Sequence, residues 1–498
     1  MTATDATTED PGAGRALEET ALVDGYEVVV GLEVHVELNT ATKLFSASPN
    51  RFGDEPNTNI DPVTLGLPGS LPVLNRQAVE LAMRIGLALN CRVQPCTFHR
   101  KNYFYPDMPK DYQISQYDQP LNVDGWLELP SGTRIGVERA HLEEDTGKST
   151  HVGGAGGRIH GSDYSLVDYN RAGVPLVEIV GRPDIRTSEE ARQYVSELRA
   201  ILVAIDASDA KMEEGSMRVD ANVSVRRPGD PLGTRCEIKN LNSVRSVGRA
   251  IDYEARRQIA LIEADEVVRQ ETRHWDETEG RTHTLRSKEE ADDYRYFLEP
   301  DLVPLAPDAA WIEEVRSSLP LLPAGRRERL ADAAGVDPAS GAVAIAVERG
   351  RDELALAALA AGGDVTRVLV HVEHNLPPEG ADPVTPEALA ALTRMEVDGA
   401  LTATQAKQVL AEIVAAGGDA DPARVAAERG FQAMDAGALD GAVDDAIATQ
   451  GAAWAKFVAG EDKAMGALVG AVMKATKGQA DGKAVTAALQ ARRAAAAG

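Results

Sequence analysis

The stretch that decides the fold is Tyr26–Leu38, which reads YEVVVGLEVHVEL. Its apolar side chains recur at every second position, the period that characterises a β-strand. One face of this strand carries only Val and Leu, whereas the other carries Gly31, Glu33, His35 and Glu37. A strand face of this Glu–His–Glu kind either lies against solvent, which is the commoner case, or faces a polar cavity.

Acidic residues recur on a second alternating stretch further along the chain. Arg218–Arg226 reads RVDANVSVR and places Asp220 among its polar positions. A turn rich in Pro and Gly separates it from Thr234–Lys239, TRCEIK, which carries Glu237. The two stretches therefore predict a β-hairpin with carboxylates on its polar face.

Two more segments add carboxylates: His141–Lys148, which reads HLEEDTGK, and Glu178 within the apolar stretch Val174–Val180. Together the acidic segments and one His suit a hard cation such as Mg²⁺ better than zinc. Cys91 and Cys96 also lack a second cysteine pair at a spacing that zinc could use. Because Mg²⁺ held by a few carboxylates usually accompanies a phosphate substrate, the pattern predicts a phosphate-handling site.

Basic side chains that could hold such phosphates include Lys101, within Phe98–Pro109, and Arg171. The sequence has no GxxxxGK[ST] P-loop, so nucleotide binding is inferred only from carboxylates combined with basic residues. It also has no GxSxG elbow and no Gly-Gly-Ser-Ser tract, and its three cysteines have no papain-like context. We therefore do not expect this chain to hydrolyse glutamine through a nucleophile of its own.

Composition narrows the class of protein. The chain has 498 residues, 43% of them hydrophobic, and 52 basic against 78 acidic side chains give a net charge of −26. No apolar run approaches the ~18 residues of a membrane helix, and the N-terminus lacks a signal-peptide pattern. Three cysteines suit a reducing compartment, so we expect a cytoplasmic protein without membrane contact. Residues 451–498 carry seven basic and three acidic side chains, a local excess that suits phosphate contacts or ordinary solvated surface.

The residue pattern divides the chain into four parts. Residues 1–22 have few bulky apolar side chains and are expected to be a disordered tail. Residues 23–308 are dense in Gly, Pro and short alternating runs, which predicts strands with a few helices. Helical spacing then dominates, so 309–425 is expected to be a helical domain and 426–498 a small helical tail domain.

Two helices stand out within the strand-rich part. Ser188–Ala204 has acidic residues in its first turn, and Ser188 is its expected N-cap. Ser243–Glu263 shows apolar residues at helical spacing. Both helices are long enough to cover a sheet face.

Several longer motifs of this sequence resemble one known family, the B subunit of the aspartyl/glutamyl-tRNA(Asn/Gln) amidotransferase, or GatB. The resemblance runs from about residue 24 to the end of the chain. The motifs that carry it are Gly31–Glu37, Leu67–Asn75, Arg100–Pro120, His141–His151, Lys211–Asn222, Glu237–Ser243, Gln270–Arg273, Asp292–Pro300 and Gly466–Gly478.

This resemblance implies an α+β fold in which antiparallel sheets form a catalytic cradle, followed by a helical domain and a small helical tail that contacts tRNA. It implies a heterotrimer with an amidase (glutaminase) subunit, which releases ammonia from glutamine, and a small third subunit. The implied activity is that of a glutamine-hydrolysing aminoacyl-tRNA amidotransferase, a carbon–nitrogen ligase of translation. With ATP and Mg²⁺, such a subunit phosphorylates the side-chain carboxylate of Glu-tRNA(Gln) or Asp-tRNA(Asn), and ammonia then displaces the phosphate.

The resemblance also implies roles for particular residues. The expected metal site comprises Glu33, His35, Glu144, Glu178, Asp220 and Glu237, with Glu143 as the alternative to Glu144. Of these, Glu144, Asp220 and Glu237 are also expected to be catalytic. Lys101 and Arg171 are also expected to be catalytic and to contact the phosphates of ATP or the acyl group, although structural ion pairs explain those two residues equally well.

One departure from the family concerns zinc. Some members carry Cys-x-Cys after the first strand and Cys-x-x-Cys before LGLPG, whereas this chain has Ser46-Ala47-Ser48 and Asp61-Pro62-Val63-Thr64. Ser and Thr supply no thiolates, so no zinc is predicted. We expect packing and turn hydrogen bonds to hold this loop instead.

Two other functions fit parts of the pattern. The chain could be a tRNA-binding scaffold whose partners perform the chemistry, in which case its acidic strand faces would be structural. It could also be a stand-alone carboxylate–amine ligase that uses free ammonia and needs no tRNA. The basic C-terminal segment and the family resemblance argue against the stand-alone ligase.

Overall fold

A computed structural model describes residues 22–153, 161–287, 294–377, 383–431, 436–476, 480 and 482–497. The chain forms two compact units, the first ending at Pro323 and the second beginning at Ala324. The disorder predicted for 1–22 falls outside the described residues, apart from Leu22. Among the residues described, no helix has the length and apolar character that crossing a membrane requires.

The first unit is built around a mixed sheet to which nine strands of the described chain contribute. In spatial order these strands are β13 (Arg281–Ser287), β12 (Glu271–Asp276), β11 (Cys236–Leu241), β10 (Met217–Arg226), β1 (Glu27–Glu37), β9 (Pro175–Gly181), β6 (Arg134–Glu144), β5 (Asn122–Glu128) and β2 (Arg92–Val93). Neighbouring strands are antiparallel except β11 and β12, whose parallel pairing requires the long crossover between them. The predicted α+β class with a sheet-based first part is confirmed, including the hairpin formed by β10 and β11.

Two smaller sheets and four helices complete the first unit as described. One sheet has the order β14 (Phe297–Leu298), β3 (His99–Asn102) and β4 (Tyr112–Ser115), and the other pairs β7 (Lys148–Val152) with β8 (Tyr164–Asp168). The helices are α1 (Arg76–Ala88), α2 (Ser188–Ala204), α3 (Val244–Glu263) and α4 (Ala309–Ser317).

Both predicted helices are confirmed, with one change at a helix end. Helix α3 begins after Ser243, whose hydroxyl accepts a hydrogen bond from the Ser246 N–H. The N-cap of α2 is Thr187 rather than Ser188, because the Thr187 hydroxyl accepts the Glu190 N–H. The prediction placed this cap one residue too late, since Ser and Thr serve equally as caps.

The apolar face of β1 fixes its position in the sheet. Val30 and Val34 are fully buried and belong to the same hydrophobic cluster as Leu198 of α2 and Ile251 of α3. A slip of one residue would turn this face outward and bury the polar face instead. Core packing therefore sets the register on which the polar face of β1 depends.

In the second unit, the described residues form helices. They are α5 (Pro323–Ala334), which begins at the last residue of the first unit, α6 (Gly341–Glu348), α7 (Asp352–Ala360), α8 (Val365–His374), α9 (Pro386–Val397), α10 (Ala403–Ala415), α11 (Pro422–Glu428), α12 (Ala436–Thr449), α13 (Gly451–Val458), a 3₁₀ turn (Asp462–Ala464), α14 (Met465–Ala475) and α15 (Gly482–Ala497). Two hydrophobic clusters hold them, one between Leu330 and Ala426 and one between Val443 and Leu489. Helix α4 packs against the core of the first unit through Val315. The domain boundaries expected at residues 308 and 425 remain predictions.

Candidate functional site

Strand register places polar side chains in a row across the central sheet. The directly opposed pairs on neighbouring strands are Glu237–Asn222, Asp220–Glu33, His35–Glu178 and Glu178–His141. Opposed residues on adjacent strands share one face and have Cβ atoms only about 5 Å apart. Five strands that are distant in sequence thus bring their acidic and imidazole groups together.

This row forms the floor of a polar cavity of about 590 Å³. Among the predicted site residues, Glu33, His35, Lys101, Glu178, Asp220 and Glu237 all line it. The structure thus joins residues from strands β1, β3, β9, β10 and β11 in one place. It does not bring Glu144 or Arg171 into this lining.

One group of carboxylates in the cavity comprises Glu33, Asp220 and Glu237, each with an oxygen within 4.8 Å of the others. The Lys239 ammonium lies between two of them, with Nζ donating to Asp220 Oδ2 at 2.6 Å and pairing with Glu237 Oε1 at 2.8 Å. Burial, followed by the charges of Glu178, Glu237 and Asp220, raises the pKa of Glu33. A cation would relieve this repulsion, and the oxygen-rich donor set fits Mg²⁺.

A second group lies beside the first and comprises His35, Glu143 and Glu178, again with potential ligand atoms within 4.8 Å. The buried His141 is 3.2 Å from Glu178 through Nε2. Burial lowers the pKa of His141, but hydrogen bonds to Glu143 and Glu178 outweigh it and raise the pKa to about 9. His141 is therefore a charged donor at neutral pH, and it fixes the orientation of these two carboxylates.

Glu144 was the first choice from sequence in the HLEED motif, and the structure places it outside the cavity. Successive side chains of a strand point to opposite faces, so Glu143 shares the cavity face with His141 while Glu144 does not. The Glu144 carboxylate is buried against Lys110, with oxygen–Nζ distances of 2.5 and 2.7 Å, and accepts the Ile114 N–H at 3.0 Å. The residue in the cavity is thus Glu143, the alternative that the sequence left open.

Arg171 lies next to a separate cavity of about 300 Å³ rather than in the first one. Its guanidinium donates to the backbone carbonyls of Thr146 and Gly147, at 2.9 and 3.0 Å. The adjacent Asp145, which lines the first cavity, accepts a hydrogen bond of 2.6 Å from Arg218. Arg171 therefore supports the loop behind the site, which agrees with the structural alternative considered for it.

Sequence reasoning did not assign Lys239 and His141, although both stood in quoted motifs. Each lies two residues from an assigned or candidate carboxylate, Lys239 from Glu237 and His141 from Glu143. On a strand, this spacing puts the pairs on one face. The alternation of side chains along a strand would therefore have predicted that both residues lie beside the carboxylates.

The loop that carries zinc-binding cysteines in some family members is held by hydrogen bonds in this chain. The Asp61 carboxylate accepts the Thr64 N–H at 2.7 Å and also bonds to the hydroxyls of Ser46 and Ser48. Burial raises the pKa of Asp61, but these hydrogen bonds prevail and hold it below its ordinary value. The predicted turn hydrogen bonds are confirmed.

Lys43 in the same loop is 1% exposed, and its Nζ donates to the Tyr169 carbonyl at 3.2 Å. Burial lowers the pKa of Lys43 from 10.5 to about 8. Between these two values the unfolded chain binds more protons than the folded chain, so stability should rise with pH. Wild type should thus gain unfolding free energy relative to Lys43→Met from about pH 8 to pH 10.5, measured by denaturant titration.

The exposed Lys148 supplies the matched control. Lys148→Met should follow wild type across the same pH range. Parallel curves for wild type and Lys43→Met would contradict the lowered pKa of Lys43.

A mixed-sheet cradle whose carboxylates, histidines and lysines converge in one cavity, followed by helices, defines a class of catalytic subunit. Two family models match the chain in that order: one described as the GatB/GatE catalytic domain over residues 28–313, and one described as the GatB domain over residues 355–492. The fold and the site thus place the chain in the GatB/GatE class.

Curated relatives narrow this class further. The proteins named as B subunits of the aspartyl/glutamyl-tRNA(Asn/Gln) amidotransferase from Salinispora tropica and Moorella thermoacetica are each 50% identical to the chain, over 484 and 473 residues. These alignments cover 93% and 92% of this chain and 96% and 97% of the relatives. The chain belongs to the GatB family.

Proposed function

We propose that this chain is the acyl-activating subunit of a tRNA-dependent amidotransferase and that its substrate is Glu-tRNA(Gln) or Asp-tRNA(Asn). The observation that supports this most directly is the cavity, in which two sets of metal-type ligands meet Lys101 and Lys239. Such a cavity suits the binding of polyphosphate and a carboxylate together, since divalent cations and ammonium groups offset their negative charge. Family membership supplies the class of substrate.

Mg²⁺ would be held by Glu33, Asp220 and Glu237 in one set and by His35, Glu143 and Glu178 in the other. When bound, it would supply charge stabilisation to the phosphates of ATP. Lys239 already occupies a cation position between Asp220 and Glu237. This ammonium shows that the carboxylates form a place for positive charge, and it is available to contact phosphate when the carboxylates bind metal.

The reaction activates a poor electrophile. An oxygen of the side-chain carboxylate of the misacylated residue bonds to the γ-phosphorus of ATP, and the bond to ADP breaks. Ammonia then bonds to the carbonyl carbon, the carbon–oxygen bond to phosphate breaks, and the proton lost by the nitrogen leaves with the inorganic phosphate. In this scheme Lys101 orients the phosphoryl group. Burial lowers the pKa of Lys101, but the charge of Glu143, followed by smaller contributions from Tyr296, Tyr294 and Glu178, outweighs it and raises the pKa.

The ammonia comes from partner proteins in this proposal, an amidase (glutaminase) subunit together with a small third subunit, and the heterotrimer works in the cytoplasm. The chain would act through a cradle domain at 23–308, a helical domain at 309–425 and a tail domain at 426–498 that contacts tRNA. Within the tail, Arg492 already pairs with Asp440 and Asp444, and Arg493 pairs with Asp462. Any tRNA contact there therefore relies on its lysines or displaces these surface pairs.

The test is the conversion of Glu-tRNA(Gln) to Gln-tRNA(Gln) by the complex of this chain with its amidase partner. With ATP and Mg²⁺, and with ammonium in place of glutamine, product should form together with one ADP and one phosphate per amide. Free glutamate in place of Glu-tRNA(Gln) should give no amide, which separates this function from a stand-alone ligase. Amide formation without ATP cleavage would overturn the proposal.

A further inference from the structure

One wall of the cavity is a face of the three-stranded sheet. In its register Lys101 lies opposite Gln113, and both line the cavity. His99 lies opposite Ser115 and Leu298, and Ser115 donates to Glu143 in the cavity. Because opposed residues share a face, the face that begins with Lys101 and Gln113 in the cavity continues beyond it to His99 and Leu298.

A row of tyrosines extends from this wall to the protein surface. The Tyr117 and Tyr296 rings are stacked, with centroids 4.4 Å apart and planes 12° from parallel. Tyr294 meets Tyr296 edge to face at 6.1 Å, and the Lys101 ammonium lies 4.5 Å from the Tyr294 ring. The row thus leads from Tyr117, which is 57% exposed, to a cation inside the cavity.

A group of exposed apolar rings, unlike a single one, marks an interaction site on a protein surface. Tyr105 is also 46% exposed and stacks at 4.7 Å on Tyr103, which lines the cavity. Two stacked pairs thus lie at or next to the cavity, one through Tyr103 in its lining and the other through the contact of Tyr296 with Tyr294, and each pair has one exposed ring. Exposed rings beside a cationic group are what proteins use to bind unpaired nucleotides, because every base has a π-face.

We infer that the row Tyr117–Tyr296–Tyr294 stacks the unpaired nucleotides at the 3′ end of the acyl-tRNA. This inference rests on the proposed function. The amino acid is esterified to the terminal nucleotide, so the nucleotides next to it must leave the cavity along a wall when the side-chain carboxylate lies inside. The tyrosine row supplies that wall, and it ends beside Lys101, the residue that the proposed function places at the phosphoryl group.

Two other occupants are less well matched to this surface. ATP has a single base, which one aromatic ring is enough to stack. The row instead has three rings in succession from the cavity to the protein surface. The core of a protein–protein interface is depleted of charged residues, whereas here the rings lead to the Lys101 ammonium. Single-stranded RNA uses both the rings and the positive charge.

The experiment compares wild type, Tyr117→Ala and Tyr117→Phe in the intact complex. The KM for Glu-tRNA(Gln) should rise about tenfold in Tyr117→Ala, the size of effect that loss of one base stack produces, and Phe should restore it. The KM for ATP should stay unchanged. The dissociation constant of tRNA that lacks its last three nucleotides should be the same for all three proteins. Tyr164→Ala, an exposed tyrosine on the two-stranded sheet, is the matched control and should behave as wild type.

The other outcomes overturn the inference in distinct ways. A rise in the KM for ATP would mean that the ring stacks on adenine. Loss of the partner subunits from Tyr117→Ala would mean that the row is a protein interface, and an unchanged KM for tRNA would mean that it binds neither. The same assay tests the proposed function separately. If wild type forms no product, the proposed function is refuted; if wild type forms product, the outcomes above concern the tyrosine row alone.

Discussion

Asp220→Asn should reduce amide formation by at least about a hundredfold, the loss typical of removing one group that stabilises transition-state charge. The change removes a carboxylate charge from the Glu33–Asp220–Glu237 group while keeping the size of the side chain. It also leaves Lys239 with one carboxylate instead of two, at the position where phosphate is proposed to bind. The measurement is single-turnover conversion of Glu-tRNA(Gln) at saturating ATP, together with tRNA affinity, which should stay near that of wild type.

Asp230→Asn is the matched control for this prediction. Asp230 lies in the exposed turn that joins β10 and β11, on the same hairpin as Asp220, and its replacement should leave the rate unchanged. Full activity of Asp220→Asn would leave the acidic cavity without a catalytic role. The scaffold function, in which partners perform the chemistry, would then be the better account.

Lys110→Met should lower the unfolding free energy of the first unit by about 3–5 kcal/mol, because it leaves the Glu144 carboxylate buried without its cation. Lys110 and Glu144 are only 5% and 4% exposed, so water cannot replace the lost partner. The double change Lys110→Met with Glu144→Gln should recover much of this loss, since it removes the unpaired charge as well. Urea unfolding followed by tryptophan fluorescence measures both.

Lys211→Met provides the comparison for an exposed pair. Lys211 and Glu214 are each 46% exposed, and breaking such a pair should change stability by less than about 1 kcal/mol. A similarly small loss in Lys110→Met would show that the Glu144 carboxylate is not held by this pair. The neighbouring Glu143→Gln should instead lower activity and cost less stability than Lys110→Met, because His141 keeps Glu178 as its partner at 3.2 Å. This difference separates the two adjacent carboxylates by experiment.

Most of the carboxylates that line the cavity were predictable because strand periodicity is local. Alternation in Tyr26–Leu38 and Arg218–Arg226 put Glu33, His35 and Asp220 on polar faces before any fold was known. The choice between Glu143 and Glu144 needed only the position of one strand residue, since the two point to opposite faces. The resemblance of the HLEED motif to the family did not by itself distinguish Glu143 from Glu144.

Other features depended on contacts between segments far apart in the chain. The tyrosine row joins Tyr117 to Tyr296 across 179 positions of sequence numbering, and only the pairing of β3 with β4 and β14 brings those segments together. Likewise, the sequence left a phosphate contact and a structural role equally open for Arg171, and the hydrogen bonds from its guanidinium to two backbone carbonyls are visible only in the structure. Neither fact has a local sequence signal.

The sequence by itself determined the family, the strand-rich first part, the helical remainder and most of the carboxylates that line the cavity, because periodicity and motifs are properties of short segments. The tertiary structure alone decided which of these groups meet, that Lys239 and His141 hold the carboxylates, and that Glu144 is a buried ion-pair partner. The physical reason is that sheet register and burial set distances, charges and pKa values, and both arise from packing among strands that the chain order keeps apart.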